Sequence, residues 1–100
     1  MGSKEKASQT PDRSIVNAQK QWQATLGELQ LQMTRATFDT WLRGSQVISY
    51  EDGIFTVYVR HAYAVDWLQN RLLAVVKRTL QRHAGPDADI EFTARAPDRD

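Results

Sequence analysis

The side chains that could catalyse a reaction are scattered along the sequence. His61 and His83 stand at the two ends of one predicted helix, about 30 Å apart, so they cannot share a metal ion or a proton relay. No two carboxylates have the spacing of an acid–base dyad, and no glycine-rich phosphate loop is present. Cysteine is absent, which excludes a thiol nucleophile, a disulfide framework and cysteine-based metal sites. We therefore expect no enzymatic activity, no cofactor and no bound metal.

Charge is distributed unevenly, although the net charge is only +1. Between Arg60 and His83, five basic residues oppose one acid, whereas between Pro86 and Asp100 five acids oppose two arginines. A basic strip on a helix can contact nucleic acid, and Arg71, Lys77 and Arg78 are its candidate contacts. The outer face of an ordinary amphipathic helix is charged as well, so both interpretations stay open.

The aromatic residues are the second group that suggests binding. Phe38 and Trp41 lie three positions apart on a short predicted helix, and we expect both in the core. Trp67 is expected at the core edge, with Tyr63 exposed one turn before it on the same flank. Trp22 begins a helix beside a polar tail, so both a buried position and an exposed interface anchor stay open.

Two predicted helices position the first of these aromatic residues. The apolar stripe of the first helix consists of Trp22, Leu26, Leu29 and Met33. The second helix is expected to start at the N-cap residue Thr34 and to end at Gly44, which can adopt a left-handed conformation. Few residues separate the two helices, so they should pack as neighbours.

The rest of the chain changes from strand to helix and back. Asp52 and Gly53 separate two runs rich in β-branched and aromatic residues, which predicts a β-hairpin. A long helix is expected from about Ala62 to His83, ending before Gly85 and Pro86. A short third strand follows, so the predicted order is α-α-β-β-α-β, an α/β (α+β) fold with a three-stranded sheet packed against three helices.

The two ends of the sequence are polar. We expect a disordered tail over residues 1–19, a folded domain over 20–94, and a disordered end or linker over 95–100. The sequence has neither an apolar run long enough to span a membrane nor a signal-type segment. Together with the absence of cysteine, this predicts a cytoplasmic protein with no membrane partner.

Two segments carry a family resemblance. The stretches "WQATLGELQLQMTRATFDTWL" and "YAVDWLQNRL", on either side of the Asp-Gly hairpin, resemble the N-terminal domain of the bacterial replication initiator DnaA. The resemblance covers about Trp22 to Phe92 and implies a KH-like fold. It also implies a protein–protein interaction domain that associates weakly with itself and docks the replicative helicase and initiation regulators.

The resemblance implies roles for three positions. Trp22 matches a tryptophan used in self-association, and Tyr63 matches an aromatic residue used in helicase contact. Thr37 stands at an acidic position of the family that some members use in the helicase or regulator contact, so it departs from the pattern. Two alternatives stay open: a small KH-like module that binds single-stranded DNA weakly, and a stand-alone regulator of initiation.

Overall fold

The structure is a computed structural model that describes residues 13–95. Its helices are α1 (Arg13–Gln32), α2 (Arg35–Trp41), α3 (Ala62–Trp67) and α4 (Leu73–Ala84), and a π-helical turn, Leu68–Leu72, joins α3 directly to α4. Its strands are β1 (Gln46–Glu51), β2 (Ile54–Tyr58) and β3 (Asp89–Thr93). With α3, the π turn and α4 counted as one long helix, the predicted order α-α-β-β-α-β and the mixed α/β class are confirmed.

The three strands form one sheet in the order β1-β2-β3. β1 and β2 are antiparallel and joined by the predicted hairpin, in which Asp52 (φ 53°) and Gly53 (φ 79°) both have positive φ. β2 and β3 are parallel, so the chain must cross over between them, and the long helix makes that crossover. Phe55 and Val57 on β2 point into the core, where α1 and α4 cover this face of the sheet.

Helix α1 begins earlier than the sequence predicted. It starts at Arg13, inside the stretch that we expected to be a tail, and Ala18 is fully buried. Ile15, which packs against the core, together with Ala18 and Trp22, extends the apolar stripe backwards at helical spacing. The predicted boundary at residue 19 is therefore too late, while residues 1–12 and most of the predicted end segment, 96–100, lie outside the described residues.

The π turn in the long helix was not predicted. The core-facing positions of this helix are Ala64, Leu68, Leu72, Val76 and Leu80, of which Leu72 is half-buried and the others buried. In an α-helix each four-residue step turns about 40° past a full turn, so this stripe would drift away from the sheet. The one extra residue of a π turn reverses about 100° of that drift. The spacing of the core positions therefore explains the interruption.

Trp22 lies at the centre of the core. Its side chain is 0% exposed, and its indole Nε1–H donates a hydrogen bond to Ser45 Oγ at 3.1 Å. The exposed position that the sequence left open for this residue is therefore wrong. Burying an indole requires a partner for its N–H group, and the serine at the start of the sheet supplies it.

Polar contacts fasten α1 to α4 at the edge of the core. Gln32 Nε2 donates to the buried Thr79 Oγ1 at 3.0 Å. Glu28 on α1 pairs with Arg82, and its Oε1 lies 2.9 Å from His83 Nε2. These contacts hold the C-terminal part of the long helix against α1.

Candidate interaction surface

Helix α2 begins with a side-chain cap in which Thr37 takes part. Thr37 N–H donates to Thr34 Oγ1 at 3.1 Å, and the Thr34 hydroxyl donates to Thr37 Oγ1 at 2.9 Å. Gly44 follows the end of the helix and has a positive φ of 80°, the left-handed conformation that was predicted. Thr37 is half-buried. Its hydroxyl already takes part in the cap, which holds the side chain in place.

The two aromatic residues of α2 have different environments. Phe38 is 9% exposed and belongs to the core, as expected. Trp41 is only half-buried, so its predicted core position is corrected. Its ring stacks on that of Trp67, with centroids 4.8 Å apart and planes 8° from parallel. This stacking joins α2 to α3 at the surface of the molecule.

Tyr63 and His61 extend the stack towards solvent. Tyr63 is 60% exposed, in agreement with its predicted exposure, and meets Trp41 edge to face with centroids 5.9 Å apart. His61 lies parallel to Tyr63 at 4.9 Å. On the other side, Arg71 places its guanidinium carbon 4.5 Å from the centroid of Trp67. We call these five residues, His61, Tyr63, Trp41, Trp67 and Arg71, the aromatic array.

One polar atom in the aromatic array has no partner. Trp67 Nε1 is buried and has no hydrogen-bond acceptor among residues 13–95. An unpaired buried donor is uncommon and costs about 1–3 kcal/mol. Arg71 belongs to the π turn, and such turns are frequent at functional sites. Both observations set this surface apart from the rest of the molecule.

The structure brings together two of the predicted contact residues and separates the third. Thr37 lies one helical turn before Trp41 on α2, and Tyr63 contacts Trp41, so both belong to the same side of the molecule. The side chain of Trp22 is fully buried between α1 and the sheet, so it cannot be reached from this surface. Its predicted part in self-association therefore has no exposed contact atoms in this fold.

The predicted basic strip is interrupted by ion pairs. Lys77 Nζ lies 3.2 Å from Asp89 Oδ1, and Arg82 pairs with Glu28. The pKa of Asp89 is lowered, chiefly by the hydrogen bond from the Ile90 backbone N–H and then by Lys77, despite a small opposing effect of burial. Arg71 and Arg78 are exposed. Of the three candidate nucleic-acid contacts, one is therefore already neutralised by a carboxylate.

The open face of the sheet is acidic. A shallow cleft of about 140 Å³ there is lined by Ser49, Glu51, Asp52, Ile54, Thr56 and Glu91. Carboxylates repel phosphate, so this face does not favour nucleic acid. A larger cleft, about 470 Å³, lies beside α2 and is lined by Gln30, Arg35, Phe38, Asp39 and Arg43.

Sequence reasoning missed the pairing of Trp41 with Trp67 and of Trp67 with Arg71. The second pair carried a signal, because residues four apart on a helix are neighbours. The first pair joins two elements and leaves no signal in a local pattern. Within the described part of the chain, no three metal-binding side chains are grouped to hold an ion. No helix of residues 13–95 has the length and apolar character needed to cross a membrane.

These features define a small α/β domain whose distinctive surface is an exposed aromatic array between two helices. The family described as the DnaA N-terminal domain matches residues 19–82, and the chain belongs to this family. The predicted family resemblance is thereby confirmed.

Several relatives carry the name chromosomal replication initiator protein DnaA. The chain is 30% identical to that of Thermomicrobium roseum over 77 residues, which cover 77% of this chain and 17% of the relative. It is 29% identical to that of Roseiflexus castenholzii over 77% of the chain and 16% of the relative. For that of Synechococcus sp., the identity is 31% over 72% of the chain and 15% of the relative. The chain thus spans only a small part of the length of the curated relatives it matches.

Proposed function

We propose that this chain is a protein–protein interaction domain acting in the initiation of DNA replication. In this role it docks the replicative helicase and initiation regulators, and it associates weakly with itself. The family membership and the printed name of the relatives support a role in replication initiation. The observation that carries the docking role is the exposed Tyr63, held at the rim of the aromatic array.

Tyr63 has the properties of an interface anchor. It presents a large apolar ring with a polar tip, and it is held by Trp41 on one side and His61 on the other. A ring that is already held in place loses little conformational freedom on binding, which is why such residues dominate interface energetics. Thr37 lies one helical turn before Trp41 on α2, on the same side of the molecule as Tyr63, and it completes the proposed contact.

Self-association requires a surface other than Trp22 itself. Trp22 supports α1 from within, and the outer side of α1 carries Leu31, which is 86% exposed. A large exposed apolar side chain on a helix is suited to a weak contact with a second copy. Trp22 would then act on association through the position of α1.

The alternative function, weak binding of single-stranded DNA, has less support in the described residues. It would use Arg71, Lys77 and Arg78, but Lys77 is paired with Asp89, and the open sheet face is acidic. Replacing all three basic residues would lower the affinity and flatten its dependence on salt if this function were the main one. We therefore place protein docking first.

Capture of the cognate replicative helicase by the immobilised chain tests the proposed function. We expect Tyr63→Ala to reduce recovery strongly, because truncating an anchor ring costs about 1–4 kcal/mol. Val16→Ala is the matched control, since it removes an exposed apolar side chain from α1 that the proposal does not use. Equal recovery of wild type and Tyr63→Ala would contradict the helicase contact.

A further inference from the structure

We propose that the aromatic array recognises an acidic protein segment, in which carboxylate side chains alternate with apolar ones. In this arrangement a carboxylate of the partner binds the Arg71 guanidinium, and an apolar side chain packs on Tyr63 and Trp41. The inference rests on the proposed function, because it assigns a chemistry to the partner that docks at this surface.

The first support is the distribution of unpaired charge. The acids that form ion pairs are Glu28, Asp39 and Asp89, and their basic partners are Arg82, His83, Arg35 and Lys77. Arg43, Arg60 and Arg71 form no ion pair with any of residues 13–95, and the same is true of Lys20, Arg78 and Arg95, which lie away from the aromatic array in sequence. Arg71 belongs to the aromatic array. Arg43 follows α2, which carries Trp41, and Arg60 directly precedes His61. Asp66 is the one acid of α3.

The second support is the geometry of Arg71. Its guanidinium lies over the face of Trp67, with its carbon 4.5 Å from the ring centroid. A guanidinium can pack on an aromatic ring and still bind a carboxylate through two hydrogen bonds from the N–H groups at its edge. The ring restrains the side chain before binding, which reduces the entropy lost when a partner arrives.

The residue directly before His61 is also basic. The Arg60 side chain lies over Gly44, where a Cβ would be only 3.4 Å from Arg60 Cδ. Gly44 has positive φ, so a substitution at this position would both strain the backbone and press on Arg60. His61 then stacks on Tyr63. The chain thus carries one cation, Arg71, against a ring of the aromatic array and a second, Arg60, directly before His61 in the sequence, which suits a segment with carboxylates on both sides of an apolar residue.

The ring contacts favour a protein segment over single-stranded nucleic acid. Bases bind by stacking on open aromatic faces. In the aromatic array, Trp41 and Trp67 cover one face of each other, Arg71 covers Trp67, and His61 covers Tyr63. Few open ring faces therefore remain for a run of stacked bases, whereas a single aliphatic side chain needs only the exposed part of Tyr63.

Binding of a synthetic peptide to the full chain tests this inference. The probe is a short peptide of alternating glutamate and leucine, and its twin has glutamine in place of every glutamate. We expect the acidic peptide to bind about tenfold more tightly than its twin, because hydrogen bonds to charged groups are stronger than those between neutral groups. Isothermal titration calorimetry measures both affinities, and oligothymidylate serves as the nucleic-acid competitor.

Substitutions then locate the contact. Arg71→Gln should lower the affinity for the acidic peptide about tenfold and leave that for the twin unchanged. Asp66→Asn should raise the affinity, because it removes a repelling charge. Lys20→Gln is the matched control, since it removes one positive charge from the exposed side of α1 and should change nothing. Circular dichroism confirms that each variant is folded.

Three outcomes would overturn the inference. They are equal binding of the twin peptide, an equal effect of Lys20→Gln and Arg71→Gln, and no binding of either peptide. Displacement of the acidic peptide by oligothymidylate at the array, with tighter binding of the DNA, would overturn it in favour of nucleic acid. Helicase capture that depends on Tyr63 without any peptide binding would defeat this inference alone. Peptide binding without helicase capture would instead defeat the proposed partner.

Discussion

Two tryptophans of this domain occupy opposite kinds of environment. Trp22 is fully buried between α1 and the sheet, and its N–H group donates to Ser45 Oγ at 3.1 Å. Trp67 lies at the edge of the core between Trp41 and Arg71, and its N–H group has no acceptor among residues 13–95. The first site is complete within the domain, whereas the second retains an unused donor and an unpaired cation. This difference separates a residue that stabilises the fold from one that presents a surface.

The largest effect is expected from Trp22→Ala. Removing a fully buried indole leaves a cavity and an unpaired serine hydroxyl, so the free energy of unfolding should fall by about 3–5 kcal/mol. Urea denaturation followed by circular dichroism measures this change. A loss below about 1 kcal/mol would contradict the central position of this side chain. Any loss of self-association in this variant should accompany the loss of fold.

A smaller effect separates the two tryptophans more sharply. Trp22→Phe removes a satisfied N–H group and leaves Ser45 without its donor, whereas Trp67→Phe removes an N–H group that has no acceptor. Both keep an aromatic ring. We expect Trp22→Phe to lower the free energy of unfolding by about 1–2 kcal/mol more than Trp67→Phe does. Thermal unfolding of the two variants side by side tests this, and equal losses would remove the distinction between the two sites.

The long-range origin of this difference explains why the sequence predicted only part of it. The order of the elements, the Asp52-Gly53 hairpin and the exposure of Tyr63 follow from local periodicity and turn chemistry, and each is confirmed. The bond from Trp22 to Ser45 joins residues 23 positions apart, and the Trp41–Trp67 stack joins two separate helices. No local pattern encodes such contacts. The sequence therefore could not decide between burial and exposure for Trp22, and it could not predict the half-exposure of Trp41.

The π turn shows the same limit within a single helix. The sequence predicted one uninterrupted helix from about Ala62 to His83, and its core positions prove to be spaced four residues apart. The structure resolves the drift by inserting one residue at Leu68–Leu72. Because this turn contains Arg71, the geometry of the aromatic array depends on a feature that periodicity alone did not reveal.

The smallest predicted effect concerns Asp89, which forms an ion pair with Lys77 away from the aromatic array. Its pKa is lowered below the ordinary value of 3.8 by the Ile90 N–H group and by Lys77. A carboxyl whose pKa is lower in the folded state stabilises the fold above its ordinary pKa, and this contribution is lost as the pH falls towards the lowered value. Asp89→Asn should therefore reduce thermal stability slightly at neutral pH and leave it unchanged well below pH 3.8.

A thermal-unfolding series across this pH range measures the effect, with Lys77→Gln as the matched variant. Lys77→Gln should reproduce only part of the loss, since the backbone N–H group of Ile90 remains. If the difference between wild type and Asp89→Asn grew towards low pH, the sign of the pKa shift would be wrong.

The affinity of the full chain for the purified replicative helicase tests the central claim most directly. We predict that Tyr63→Ala weakens binding at least about tenfold, because an exposed, held aromatic ring acts as the anchor of the contact. Val16→Ala, which removes an exposed apolar side chain of α1 outside the aromatic array, should bind as wild type does. Equal affinities of wild type and Tyr63→Ala, with the variant folded by circular dichroism, would contradict the assignment of the aromatic array as the docking surface.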